Sequence, residues 1–300
     1  ALFANGTNQI IWHGMPYNSQ GDTSNYFYAS IHVGPDAYFI DQLRDFNNYM
    51  TTVSNYMRKG NVYSDVALYL PLEDSWMGVE YPDSLQMPWV WGEYELRYVF
   101  APDYLKGYQP LWVNGKLLSD AQYKNGVLTC GACQFTALTI DVEYLDLAVL
   151  RDVVRLAQSG LPVLFARETK QPGKNKSPEY ISLIESLKKL PNVSTDPKQV
   201  LQTTPLLSGE NLPDFWCRQE GNDLYIFLAN PAAQRLKYPL RYGQAFEDKG
   251  SERSITIQTP VGAKTKLLRF APNQSILLKV TGEGDIEEID LKFNAQKIGS

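Results

Sequence analysis

Histidine and cysteine are the scarcest reactive residues in this 300-residue chain, with two and three copies, and their shortage removes several kinds of chemistry. A zinc site draws four Cys or His ligands from short paired spacings, but His13 and His32 lie far upstream of Cys130, Cys133 and Cys217. Cys130 and Cys133 have redox-pair spacing, yet they sit in Val-Leu-Thr-Cys-Gly-Ala-Cys-Gln-Phe. That reads as strand or turn, whereas a reactive pair wants a helix N-terminus; buried, unreactive thiols are the expectation. No Gly-x-Gly-x-x-Gly follows a strand and no Walker motif occurs, so no nucleotide site comes with the fold. No apolar run approaches the roughly 20 residues of a membrane span, and no signal peptide is legible. With 28 basic and 33 acidic residues interspersed, net charge −5, there is no basic face for nucleic acid.

What is present is apolar and aromatic. Hydrophobic residues make up 44%, enough for two domains with cores of their own, and aromatics 12%, with 19 Tyr and 6 Trp. Such richness is common in carbohydrate-handling proteins and in large β-rich folds alike.

The chain divides in three. Thr7 to Tyr17 reads as one short buried strand running into an aromatic loop. A long helix follows from near Pro35, with Phe39, Leu43, Phe46, Met50, Val53 and Met57 alternating four and three apart in one stripe. It is stopped at Arg58-Lys59-Gly60. A lone strand and helix cannot bury their own apolar faces. Residues 1–60 therefore fit the last unit of a truncated (β/α)₈ barrel, with the helix stripe left exposed or covered by another chain; the competing reading is an N-terminal extension of the next domain. From 61 to 203, buried strands near 66–70, 111–113, 137–140 and 161–166 alternate with helices over about 142–159 and 178–189. That predicts an α/β domain with a doubly wound parallel sheet. From 204 to 300, short strands with Gly-Asn-Asp, Pro-Asn and Gly-Glu-Gly turns and no helix signal predict an antiparallel β-sandwich.

Four stretches carry a resemblance: Ile10-Ile-Trp-His-Gly-Met-Pro-Tyr17, Tyr56 to Pro71, Gly160-Leu-Pro-Val-Leu-Phe165 and Asp214 to Asn230. In that order they resemble the C-terminal part of multidomain glycoside hydrolases of the α-L-rhamnosidase-type family 106. The resemblance implies a barrel, then a flavodoxin-like domain similar to the trimerisation domain of family 42 β-galactosidases, then β-sandwiches. It implies an accessory region whose catalytic carboxylates lie on earlier barrel strands. No catalytic residue is therefore expected within this chain, and Trp12, His13 and Tyr17 are the candidate substrate-binding residues. It implies an oligosaccharide or polysaccharide partner, no cofactor (calcium being admissible in the parent enzyme), a homo-oligomer as one option, and a periplasmic or extracellular bacterial setting. Four Asn-x-Ser/Thr sequons occur, at Asn5, Asn175, Asn192 and Asn273.

Glu73 and Asp74 follow a strand and read as part of a solvated loop, open to calcium or sugar. Trp76, Trp89 and Trp91 read as packing between domains or as reaching over the barrel mouth. Two readings from other classes remain. A cysteine enzyme on a glutamine-amidotransferase-like sheet needs a histidine after the cysteine, and none follows His32. The other is a non-catalytic carbohydrate-binding or assembly module.

Overall fold

The structure is a computed structural model that describes residues 1–12, 39–77, 100–235 and 249–291. After a 3₁₀ turn at Phe3–Asn5, helix α1 spans Ile40–Met57. Gly60, at φ +45°, turns the chain into β1 (Asn61–Val62). The next stretch alternates: β2 (Val66–Tyr69), α2 (Leu72–Met77), β3 (Leu111–Val113) and α3 (Gly115–Asp120). A small antiparallel meander interrupts it, made of β4 (Gln122–Lys124), β5 (Val127–Cys130) and β6 (Cys133–Phe135). Alternation resumes with β7 (Ala137–Ile140), α4 (Leu147–Gln158), β8 (Val163–Phe165), α5 (Pro178–Lys188), β9 (Val193–Ser194) and α6 (Pro197–Val200).

Strands β3-β2-β7-β8-β9 form one sheet in which every pair is parallel. Every residue of β2, β7 and β8 is buried, as expected for a sheet covered on both faces. On one face α4 contributes Leu150, Val153 and Leu156 and α5 contributes Tyr180, Ile184 and Leu187. The helices start where side-chain oxygens meet otherwise unpaired N–H groups: Asn114 accepts from Leu117 N, Asp146 from Ala148 N, and Ser177, ahead of Pro178, from Glu179 N.

The remaining strands are antiparallel: β10 (Leu207–Ser208), β11 (Phe215–Glu220), β12 (Asp223–Leu228), β13 (Ser251–Thr259), β14 (Gly262–Phe270), β15 (Ile276–Val280) and β16 (Ile286–Glu288). They form two sheets, β1-β11-β12-β15-β16 and β10-β13-β14. Cys217, Ile226, Leu228 and Leu278 of the first share a core with Leu207, Ile255, Ile257 and Phe270 of the second. The alternate residues of the first sheet, Tyr225, Phe227 and Leu277, face Phe3, Met50, Val53 and Met57.

Three expectations change. Thr7–Trp12 is not a buried strand: it has no regular structure and Ile11 is 80% exposed. Among the described residues no strand pairs with the Ile-Ile-Trp run, and Ile10 and Trp12 pack instead against the cluster formed by α1 and the antiparallel sheet. The C-terminal half of the α1 stripe needs no neighbouring chain, because Val53 and Met57 are fully buried on the antiparallel sheet of the same molecule; Phe39 and Phe46 stay half-buried. Finally, Asn61 does not open the parallel-sheet region. β1 pairs with Gln219 and Arg218 of β11, and only from β2 onward does the chain enter the parallel sheet.

The two regions are joined by Gln109. Its buried side chain donates to Tyr63 O (2.6 Å) and Cys217 O (3.1 Å) and accepts from Cys217 N. Its own N–H donates to the Asp65 carboxylate at 3.0 Å. The side-chain amide extends the β1–β11 ladder as a peptide group would. Burial pushes the Asp65 carboxyl up, to about 6.

Candidate functional site

In chain order the parallel sheet runs second-first-third-fourth-fifth. Its connections part between β2 and β7, and a crevice beyond the strand ends at that point is where such sheets bind ligands. The residues following β2 and β7 meet there. Pro71 precedes α2, and Glu73 and Asp74 occupy its first turn, a pattern that favours helix initiation. They are therefore not in a solvated loop. Glu73 is only 6% exposed, and its Oε1 accepts from the Tyr69 hydroxyl at 2.7 Å. Burial, then the Glu73 hydrogen bond, raises the Tyr69 phenol well above its ordinary range, so it stays a donor. Asp74 accepts from Glu143 N (2.9 Å) and Tyr144 N (2.6 Å), tying α2 to the loop after β7. Asp141, at the end of β7, accepts from Tyr104 Oη (2.9 Å) and pairs with Arg167 (2.5 Å).

Among the candidate substrate-binding residues, Trp12 is described and His13 and Tyr17 lie outside the described residues. The Trp12 indole N–H donates to Asn47 Oδ1 at 2.9 Å, and its ring lies 6.5 Å from Phe39 and 6.1 Å from Phe46. It is thus seated on α1. A hollow of about 390 Å³ beside it is lined by Gln9, Asn47, Thr51 and Arg58, among others. Trp76 is 69% exposed and is not packed between regions; Trp89 and Trp91 lie outside the described residues.

All three cysteines are free. Cys130 faces Cys133 across the β5–β6 pair, and burial raises both thiols, as it does fully buried Cys217. Thiols raised this way are poor nucleophiles near neutral pH. Among the described residues no group of three or more His, Cys, Asp or Glu side chains is placed to hold a metal ion, and no helix is long and apolar enough to cross a membrane.

Sequence reasoning noticed Glu73 and Asp74 but not what holds them. Pro71 and the acidic pair carried a helix-start signal. Burial of Glu73 and the Asp74 contact to residues 143–144 are non-local and left none.

No protein-family model and no curated protein matches the sequence. The fold has a solved counterpart. The chain is similar to a rhamnosidase from Novosphingobium sp. PP1Y, with a TM-score of 0.55 and 15% sequence identity. The match covers 80% of this chain and 24% of that one, so this chain spans about a quarter of the rhamnosidase's length. At that identity the likeness is one of fold.

Proposed function

We propose that this chain is an accessory C-terminal region of a multidomain glycoside hydrolase acting on plant or microbial polysaccharide, with α-L-rhamnosides as the parent's substrates. The observation that carries the reading is the shared fold with a rhamnosidase over four-fifths of this chain and only a quarter of that protein. The strand order is that of flavodoxin-like sheets, and two antiparallel sheets sharing one core follow it; both support the flavodoxin-like and β-sandwich parts of the family 106 resemblance.

Glycoside hydrolysis takes two carboxylates flanking the scissile bond, about 5–10 Å apart, and in barrels these stand at strand ends. In this reading both belong to barrel strands outside residues 1–300. In the same reading α1 is the last barrel helix, His13 and Tyr17 face the sugar while Trp12 stays on α1 with Asn47, and the parent works in the periplasm or outside the cell. The second reading, a non-catalytic carbohydrate-binding or assembly module, is favoured by the exposed Trp76; a β-galactosidase-type parent is the variant of the first.

The test compares this chain and the longer protein on aryl α-L-rhamnosides and aryl β-D-galactosides. Turnover of the rhamnoside by the longer protein and none by residues 1–300 is the expected result. Turnover by residues 1–300 alone, or a longer protein inert on both substrates, overturns the proposal.

A further inference from the structure

Two cysteines meet in the small antiparallel meander that interrupts the parallel sheet. Cys130 ends β5 and Cys133 begins β6, with only Gly131 and Ala132 between them. Gly131, at φ +60°, lets the chain reverse within those two residues. The pairing sets Cys130 directly opposite Cys133, then Thr129 opposite Gln134 and Leu128 opposite Phe135. Side chains alternate between the faces of a strand. Thr129 and Gln134 are exposed, whereas the two cysteines share the face that Leu128 and Phe135 turn into the core. Residues flanking a two-residue turn form a hydrogen-bonded pair with Cα atoms about 5.5 Å apart, which is the common Cα spacing across a disulfide.

The two thiols are unequally placed. Cys130 is 4% exposed, with Sγ 3.4 Å from Leu117 O of α3. Cys133 is only half-buried. An external reagent therefore enters at Cys133, and Cys130 is held where it meets the resulting adduct from within the protein.

We infer that Cys130 and Cys133 are a thiol–disulfide pair that closes across the β5–β6 turn by exchange with a small-molecule disulfide. The Cys133 thiolate attacks one sulfur of the reagent R–S–S–R; a mixed disulfide forms and RS⁻ leaves. The Cys130 thiolate then attacks the Cys133 sulfur; the protein disulfide forms and a second RS⁻ leaves. The two cysteines lose two electrons to the reagent, and their two protons pass to solvent or to the departing thiolates. Burial makes the first step slow near neutral pH and faster as pH rises. The second step is intramolecular, with the turn holding its partners together. Cys217, fully buried in β11, takes no part. The pairing stands on geometry alone; its being closed in the cell rests on the periplasmic or extracellular setting proposed above.

The experiment reduces the 300-residue chain, removes the reductant and incubates it with oxidised glutathione at mildly alkaline pH. Samples are quenched with acid, unfolded and alkylated with iodoacetamide, then read by intact mass and peptide mapping. The expected product retains no glutathione, carries one alkylated thiol at Cys217, and has lost two hydrogens from the peptide containing residues 130–133. Dithiothreitol should reopen it, and the closed form should melt at the higher temperature. Cys130→Ser is expected to stop at one retained glutathione on Cys133, and Cys133→Ser to retain none and to leave Cys130 reduced. Circular dichroism checks that both variants fold, and the wild-type result stands without them. The inference is overturned if wild type keeps a stable glutathione adduct, if Cys130 and Cys133 both stay reduced after prolonged incubation, or if either pairs with Cys217. A pair that closes in the purified chain but is found reduced in the cell sinks the proposed setting alone.

Discussion

Replacing Gln109 by alanine should damage this molecule more than any surface change of equal size. The wild-type side chain makes three hydrogen bonds, to Tyr63 O, Cys217 O and Cys217 N, in a site almost closed to water. Cys217 O keeps a second donor, Tyr63 N, so its loss is small. Cys217 N and Tyr63 O lose the partner that closes the ladder. Three lost bonds at about 1 kcal/mol each, with one or two buried groups left unsatisfied at about 1–3 kcal/mol each, sum to roughly 4–9 kcal/mol. That is a large part of the ordinary 5–15 kcal/mol of a domain. Gln109→Glu tests the cause: its shape is conserved, but at neutral pH a carboxylate replaces the donor amide facing two carbonyls. It should be at least as destabilising at pH 7 and recover as the new carboxyl is protonated. Urea unfolding, read by both tryptophan fluorescence and far-UV circular dichroism, measures each variant. Because Gln109 bridges the parallel-sheet region to β11, the two transitions should also separate in Gln109→Ala. A Gln109→Ala midpoint within about 1 kcal/mol of wild type at unchanged m-value would refute the reasoning.

Other outcomes follow from the same contacts. The Asp65 carboxyl is raised from 3.8 to about 6 by burial, so the folded state holds its proton more tightly; its contribution is full below about pH 4 and is lost as pH rises to about 6. The change amounts to about 3 kcal/mol, and urea melts from pH 4 to 7 should show that slope in wild type and lose it in Asp65→Asn. Gly60→Ala should destabilise by at least about 2 kcal/mol, since φ is +45° and the new Cβ would collide with the Gln219 carbonyl; a thermal midpoint equal to wild type contradicts this. Ellman's reagent on the native protein should modify only Cys133, slowly, and all three thiols after unfolding, because Cys130 and Cys217 are buried. In the longer protein, His13→Ala should lower kcat/KM on aryl rhamnosides by about ten- to a hundredfold at little cost in stability, whereas full activity would make that residue structural.

The parts of the fold legible in the sequence are those fixed by local pattern. Val66–Tyr69 and Val163–Phe165 are continuous apolar runs because both faces of their sheet are covered, and the α4 stripe declared itself, although the helix starts at Leu147 after the Asp146 cap and not near 142. What escaped is held by distant partners. Asn61–Val62 is a strand only because Arg218 and Gln219 lie beside it, and Val193–Ser194 only because β8 does. Trp12 was legible as an aromatic next to a histidine, but its hydrogen bond to Asn47 depends on how α1 is placed. Trp76 and Glu73 were both visible as letters; that one is bare and the other buried beside it is a property of α2, whose start was signalled by Pro71 and not its burial.

The docking of α1 on the antiparallel sheet also sets a schedule for synthesis. Tyr49, on α1, hydrogen-bonds Ser275 at 2.7 Å across 226 positions of chain, and Leu277 of β15 completes the surface that covers Val53 and Met57. A ribosome adding about 5–20 residues per second needs roughly 10–45 s to make what lies between. For that interval α1 has no native surface for the C-terminal half of its apolar stripe, while the parallel sheet, complete by Ser194, can already close. Of the described elements, α1 is therefore among the last to be covered, and chaperone occupancy during translation should concentrate on residues 50–57.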